Sequence, residues 1–233
     1  MKYKILDAFT LKLIMVVLMV LDHIAQFIPN SPYWLHWPGR LVAPVFFYLL
    51  TEGYKYTSSK QKYMKRLFTW AGMMFIGNII ISFIFKRKIP LYNNILFSMG
   101  LGIALLMLLD SGKCKQGKDK FENNLLTLLV LFISLFSEGS WMCTAMVLIF
   151  HYLKEDKIKM SLAYIALSCM FIQGGFTYEN LFTLNPQWMM VFALPIIFMY
   201  NGQRGKNIKY FFYVFYPLHI WILYIIGYLL EKS

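Results

Sequence analysis

The chain has 233 residues, of which 59% are hydrophobic and 15% charged, and its formal charge is +12. A soluble domain runs nearer 45–50% apolar and about 25% charged, and a chain this short could not bury so much apolar sequence in one aqueous core. An ordinary soluble enzyme is therefore excluded, and so is a nucleic-acid partner, which needs basic residues gathered on one soluble face rather than spread over short loops.

The apolar sequence falls into separate stretches, each close to the ~20 residues that cross a ~30 Å hydrocarbon core. Nine crossings are predicted, at 9–29, 38–54, 64–85, 92–110, 122–137, 140–153, 159–174, 187–200 and 209–230. The short segments 140–153 and 187–200 fit tilted partners, re-entrant pieces or spans in a thinned bilayer, so the count ranges from eight to ten. The fold class is all-α, a polytopic transmembrane helical bundle with residues 1–233 as one domain. The first segment opens with Met1, Lys2 and Lys4, like a signal peptide. Its apolar run is too long for one, and no small-residue cleavage site follows, so it reads as an uncleaved span.

Basic residues orient the bundle. Lys55, Lys60, Lys62, Lys65 and Arg66 crowd the second loop, and Lys113, Lys115, Lys118 and Lys120 the fourth. Lys154, Lys157 and Lys159 follow the sixth span, and Arg204, Lys206 and Lys209 the eighth. The positive-inside rule puts the N-terminus in the cytoplasm and the C-terminus outside. The expected bilayer is a bacterial cytoplasmic membrane. Lys86, Arg87 and Lys88 fall on the outer side and break the rule.

Ionisable groups inside a bilayer cost ~2.5 kcal/mol or more and are usually paired and functional. The first span carries Lys12, Asp22 and His23. Lys12 and His23 are eleven residues apart, which returns them to nearly the same helix face about 16 Å apart. A neutral imidazole there can take a proton during acyl transfer. Asp22 points about 100° away and is better placed for a basic residue of a neighbouring helix, the competing role of the pair being helix packing alone. Arg40 enters the second span near the same level, to pair with Asp22, hold an anionic group or snorkel. Pro44 is expected to kink that span, and Glu52 ends it, as a site residue or a solvated helix end.

Asn78, Asn93 and Asn94 bracket the third and fourth spans and suit interhelical hydrogen bonds, while Glu138 sits on an outer turn. Cys114, Cys143 and Cys169 show neither metal spacing nor a disulfide pairing, and the two in spans read as small buried residues. His219 lies in the last span two residues after Pro217, as a substrate ligand, a partner for His23 or a bonded core histidine. Its neighbour Pro217 frees a backbone carbonyl, which suits a segment lining a cavity. His36 and His151 sit at membrane edges and carry no assigned role. The 18% aromatic content fits interfacial belts and helix packing.

Four blocks stand in order along the chain, which has no internal repeat: Lys12 through Asp22-His23-Ile24; Gly39-Arg40 with Pro44-Val45-Phe46, Glu52-Gly53-Tyr54, Thr57 and Tyr63-Met64-Lys65-Arg66-Leu67; Asn94-Ile95-Leu96-Phe97 with Gly100, Gly102 and later Glu138-Gly139; and Tyr200-Asn201-Gly202 with Arg204-Gly205, then Lys209 through Phe215-Tyr216-Pro217-Leu218-His219. With these blocks the chain resembles TraX-like membrane proteins, named for the pilin N-terminal acetylase and similar to the wider acyltransferase-3 group. The resemblance implies transfer of an acyl group, acetyl from cytoplasmic acetyl-CoA, to a peptide N-terminus, a glycan or a lipid head group. It implies that His23 and Asp22 are catalytic and that Lys12, Arg40, Glu52, Lys65, Arg66, Asn94, Glu138 and His219 bind substrate or CoA, with no metal. The wider group's paired-arginine motif has no clear counterpart here, and Arg40 and Arg66 are the candidates to replace it.

In such a reaction His23 acts as general base or carries the acyl group itself. Two competing readings are a transporter or flippase, which midplane polar residues and broken helices suit, and a non-catalytic scaffold.

Overall fold

The computed structural model describes residues 4–232 and, within them, not the side chain of Lys209; Met1 and Lys2, which open the first predicted segment, lie outside. The described residues form helices α1 (Ala8–Phe27), α2 (His36–Gly39), α3 (Val42–Tyr56), α4 (Lys60–Ile84), α5 (Ile95–Gly112), α6 (Gly117–Ser134), α7 (Ser140–Tyr152), α8 (Lys157–Cys169), α9 (Ala193–Phe198) and α10 (Lys209–Lys232). No strand occurs among them, and one isolated parallel bridge joins Leu6 to Tyr200. The all-α expectation holds. Four helices are long and apolar enough to cross a membrane: Ala8–Phe27, Lys60–Ile84, Ile95–Gly112 and Tyr210–Lys232. The 13-residue helices α7 and α8 reach only about 20 Å.

Three local expectations change. The segment 38–54 is broken at Arg40 and Leu41, between α2 and α3. Pro44 is the third residue of α3, where its missing N–H has no intrahelical acceptor to serve, so it starts the helix instead of kinking it. The segment 187–200 is no single span: a π-turn at Asn180–Leu184 and a 3₁₀ stretch at Pro186–Phe192 precede the short α9. Pro195 cannot donate to the Val191 carbonyl four residues back, which disfavours a continuous α-helix there. Helix α8 stops at Cys169, and that cysteine is exposed, whereas Cys143 is buried.

The chain divides into two compact units, one drawing on residues 1–46, 78–91 and 157–233, the other on 47–77 and 92–156. In the first, α1 buries Leu11, Met15, Met19, His23 and Phe27, one every four residues, and exposes Leu13, Ile14 and Val17. That buried face meets α10. Phe9 touches Phe212 and Phe27 touches Tyr224, with ring centroids 6.3 and 5.7 Å apart, so the two helices run parallel. Trp221 Nε1 donates to Asn78 Oδ1 at 2.9 Å.

Arg87 explains its place in the exceptional basic turn. Its side chain is wholly buried. It donates to the Phe27 carbonyl at 2.7 Å, to the Tyr224 carbonyl at 3.0 Å and to both oxygens of Glu231 at 2.7 and 3.1 Å. It is a fastener between α1 and α10 with its charge paired, unlike the solvated loop lysines that set topology.

The second unit buries Glu52 against Lys154, with 10% and 12% of those side chains exposed. Asn94 is the cap residue just before α5; its backbone N–H donates to the Glu138 carboxylate while its Nδ2 donates to the Ala71 carbonyl at 3.0 Å. Ser98 Oγ donates to the Glu138 carbonyl at 2.5 Å.

Candidate functional site

His23 is buried because it occupies the fourth place of the α1 stripe, where a large apolar residue would otherwise sit. Its Nδ1 lies 2.8 Å from Nε2 of His219, with the rings 4.9 Å apart and tilted by 38°. His219 Nδ1 lies 2.8 Å from the Phe215 carbonyl one turn back, and its ring stacks on Phe215 at 13°.

This chain of contacts assigns the hydrogens. A carbonyl only accepts, so His219 Nδ1 is the donor and its Nε2 the acceptor. His23 Nδ1 therefore donates to His219, and the His23 lone pair falls on Nε2. When Nε2 takes up a proton, the resulting cation keeps its Nδ1–H···Nε2 bond to His219, which can share the charge.

Asp22, the neighbouring residue, serves a different group. Its Oδ1 lies 2.6 Å from His36 Nδ1, and the Arg40 Nη2 donates to Oδ1 and Oδ2 at 2.8 and 3.1 Å. Arg40 also donates from Nε to the His36 carbonyl at 3.2 Å and from Nη1 to Gln187 Oε1 at 3.2 Å. Gly39 permits this, since a Cβ there would overlap the Asp22 carboxyl group. Asp22 thus pairs with a basic residue beyond its own helix, Arg40, as its direction on α1 led us to expect, together with His36, and His23 meets His219.

A cavity of about 340 Å³ opens beside the second cluster, lined by Tyr33, His36, Arg40, Leu184, Asn185, Pro186 and Gln187. Two clamps hold its walls together: the Tyr33 hydroxyl donates to the Thr183 carbonyl, and Trp37 Nε1 donates to the Phe182 carbonyl at 2.8 Å. His36 and Gln187 enter the site as residues that the sequence did not single out. The spacing of His36 and Arg40, one helical turn apart, was the available signal for the histidine. Nothing local marked Gln187.

The remaining sequence candidates spread out. Lys12 is half-buried on α1, with its ammonium 5.6 Å from the Phe212 ring. In the other unit, Lys65 is exposed on α4 and Arg66 packs over Tyr63 at 5.3 Å. Asn94 and Glu138 come together, while Glu52 is held by Lys154. No cluster of three or more His, Cys, Asp or Glu suited to a metal occurs among the described residues.

A bundle of apolar helices with ionisable groups paired between them defines a polytopic membrane protein. The chain belongs to the TraX family, whose profile (TraX protein) matches residues 8–227. It is similar to the probable fimbrial assembly protein FimC, serogroup H1, of Dichelobacter nodosus, at 27% identity over 241 residues that cover 93% of this chain and 94% of the relative. No solved structure matches.

Proposed function

We propose that the chain is a membrane-embedded acyltransferase of the bacterial cytoplasmic membrane, moving an acetyl group from acetyl-CoA to an amine or hydroxyl of a membrane-associated or extracytoplasmic acceptor. The observation that carries this reading is the buried His23–His219–Phe215 relay, which puts a basic nitrogen on His23 Nε2. As the acceptor nitrogen or oxygen attacks the thioester carbonyl, its proton passes to Nε2. The new bond forms, the C–S bond breaks, and the CoA thiolate recovers the proton. Kinship with a fimbrial assembly protein brings a fimbrial subunit's amine among the acceptor candidates.

The test is turnover of radiolabelled acetyl-CoA by purified protein. Wild type should transfer label, and His23→Gln should lose roughly 10²- to 10⁴-fold, the span of general-base catalysis. Full activity in that variant removes His23 from the mechanism. A transporter or flippase is the second reading, favoured by the interrupted helix across 180–198. Thermal stabilisation by CoA favours the enzyme, and its absence favours transport.

A further inference from the structure

We infer that residues 170–185 form a turn sunk in the outer leaflet of the bilayer, and that the cavity beside His36 opens there to lipid and not to water. This needs only the membrane and is independent of the acyl-transfer reading.

Both arms of the turn start at basic loops of the cytoplasmic side, with Lys157 and Lys159 at one and Arg204 and Lys206 at the other. Helix α8 has 13 residues and rises about 20 Å. The return arm has seven 3₁₀ residues and the six of α9, which together span about 23 Å. A ~30 Å hydrocarbon core leaves roughly 7–10 Å above both arms, and tilt leaves more. The turn lies in that remainder. Asp22 stands about 21 Å above Ala8 along α1, so the cluster of Asp22, His36 and Arg40 is at the same depth.

The backbone of the turn is built for a place without water. Outside a helix, carbonyls at membrane depth have to be satisfied by protein, whereas an aqueous loop leaves many of them to solvent. Three consecutive carbonyls of the π-turn each take a side-chain donor: Leu181 from Trp188 Nε1 at 2.9 Å, Phe182 from Trp37 Nε1 at 2.8 Å and Thr183 from the Tyr33 hydroxyl. Asn180 Nδ2 donates to the carbonyls of Gln173 and Gly175, to the second at 2.6 Å.

The side chains agree. From Met160 to Gln203 the only charged residue is Glu179, near the middle of the turn, where it is nearest the head groups. Phe176, Tyr178 and Leu184 are 84%, 70% and 65% exposed, which suits rings at the interface and a leucine in hydrocarbon. Leu184 also belongs to the cavity wall. The mouth is therefore edged by lipid, and an amphiphile can bring a polar end to Arg40 and His36 while its apolar remainder stays in the bilayer.

Two measurements test this on the full chain in nanodiscs. In a background with Cys114, Cys143 and Cys169 replaced by alanine, nitroxide labels are attached at Phe176→Cys, at Leu184→Cys and, as the aqueous reference, at Lys206→Cys. At the first two positions collisions with dissolved oxygen should exceed those with a water-soluble nickel chelate several-fold, and at the third the order should reverse. Nickel dominance at Phe176→Cys or Leu184→Cys overturns the inference. The second measurement needs no variant. Hydroxyl-radical footprinting compares Tyr178 with Tyr56, which is 71% exposed and stands beside Lys55 at the end of α3. The two rings are equally open in the folded chain, so Tyr178 should be oxidised several-fold more slowly only if lipid covers it. Equal rates overturn the inference.

Discussion

His23 and His219 meet across two parallel helices with 2.8 Å between Nδ1 and Nε2, and the Phe215 carbonyl fixes which nitrogen of each ring holds hydrogen. His219→Gln should therefore impair turnover through His23 without removing the base. We expect a smaller loss than in His23→Gln, with the effect on kcat and little on KM for acetyl-CoA. Either substitution by Leu should also lower stability by ~1–3 kcal/mol, because one buried polar ring is left without its partner. Steady-state kinetics with thermal melts separates the two effects.

Gly39 should tolerate no side chain. A Cβ there would overlap the Asp22 carboxyl, and moving Asp22 would release both His36 and Arg40. Gly39→Ala is expected to cost ~1–3 kcal/mol as an overpacked site. It should also abolish the Nδ1–H tautomer of His36, visible in the histidine nitrogen-15 spectrum. An alanine variant with an unchanged melt and spectrum would contradict this packing.

These residues show why the sequence was legible in some places and not in others. The apolar runs of α1, α4, α5 and α10 were long enough to find by length alone, and Asp22, His23, Arg40 and His219 stood out because a bilayer penalises them. Which face of α1 turns inward was another matter. Its buried Leu11 and Met15 and its exposed Leu13 and Val17 are all apolar, and lipid is no less apolar than a helix neighbour. Gln187 escaped because its meaning comes from its contact with Arg40, 147 residues away, and from a helix broken at Pro186 and Pro195, whereas His36 meets Asp22 only 14 residues back and its spacing from Arg40 was a readable signal.

Arg87 should be irreplaceable by lysine. Its planar fork reaches two carbonyls and a carboxylate at once, and an ammonium cannot match that geometry. Arg87→Lys is expected to destabilise by ~2 kcal/mol or more, given ~1.5–3 kcal/mol for a hydrogen bond to a charged group. Gly227→Ala should do similar damage, since its Cβ would overlap the Phe27 carbonyl beside the guanidinium. Melting temperatures of the two single variants and the double variant should be non-additive, as both break one contact network.

Glu52 and Lys154 form a nearly buried ion pair, so losing one partner should cost more than losing both. Glu52→Leu or Lys154→Met alone leaves an uncompensated buried charge and is expected to cost ~3–5 kcal/mol. The double variant should recover most of that stability. If acetyl-CoA turnover is then normal at equal folded fraction, Glu52 acts through the ion pair and not through CoA; if turnover is lost in the stable double variant, the carboxylate itself contacts substrate.

Asp7 gives α1 a cap whose strength depends on pH. Its Oδ1 accepts from the Thr10 backbone N–H at 2.7 Å, and that hydrogen bond, aided by the Thr10 hydroxyl, holds the carboxyl below its usual range. A carboxyl whose value is lower in the folded chain adds stability that is fully present above the unfolded value, ~3.9, and disappears as pH falls through the folded one. Asp7→Ala should cost ~1 kcal/mol near neutral pH, the usual value of such a cap. Asp7→Asn should cost less, because the amide still accepts from Thr10 and only the charge facing the helix dipole is lost. Other carboxylates titrate in the same range, so the informative quantity is the difference in melting temperature between wild type and Asp7→Asn. That difference should be constant from neutral pH down to about pH 5 and shrink toward zero below the usual carboxylate value. A difference that grows as the pH falls would mean that the folded carboxyl sits above its unfolded value, and the capping geometry of α1 would have to be redrawn.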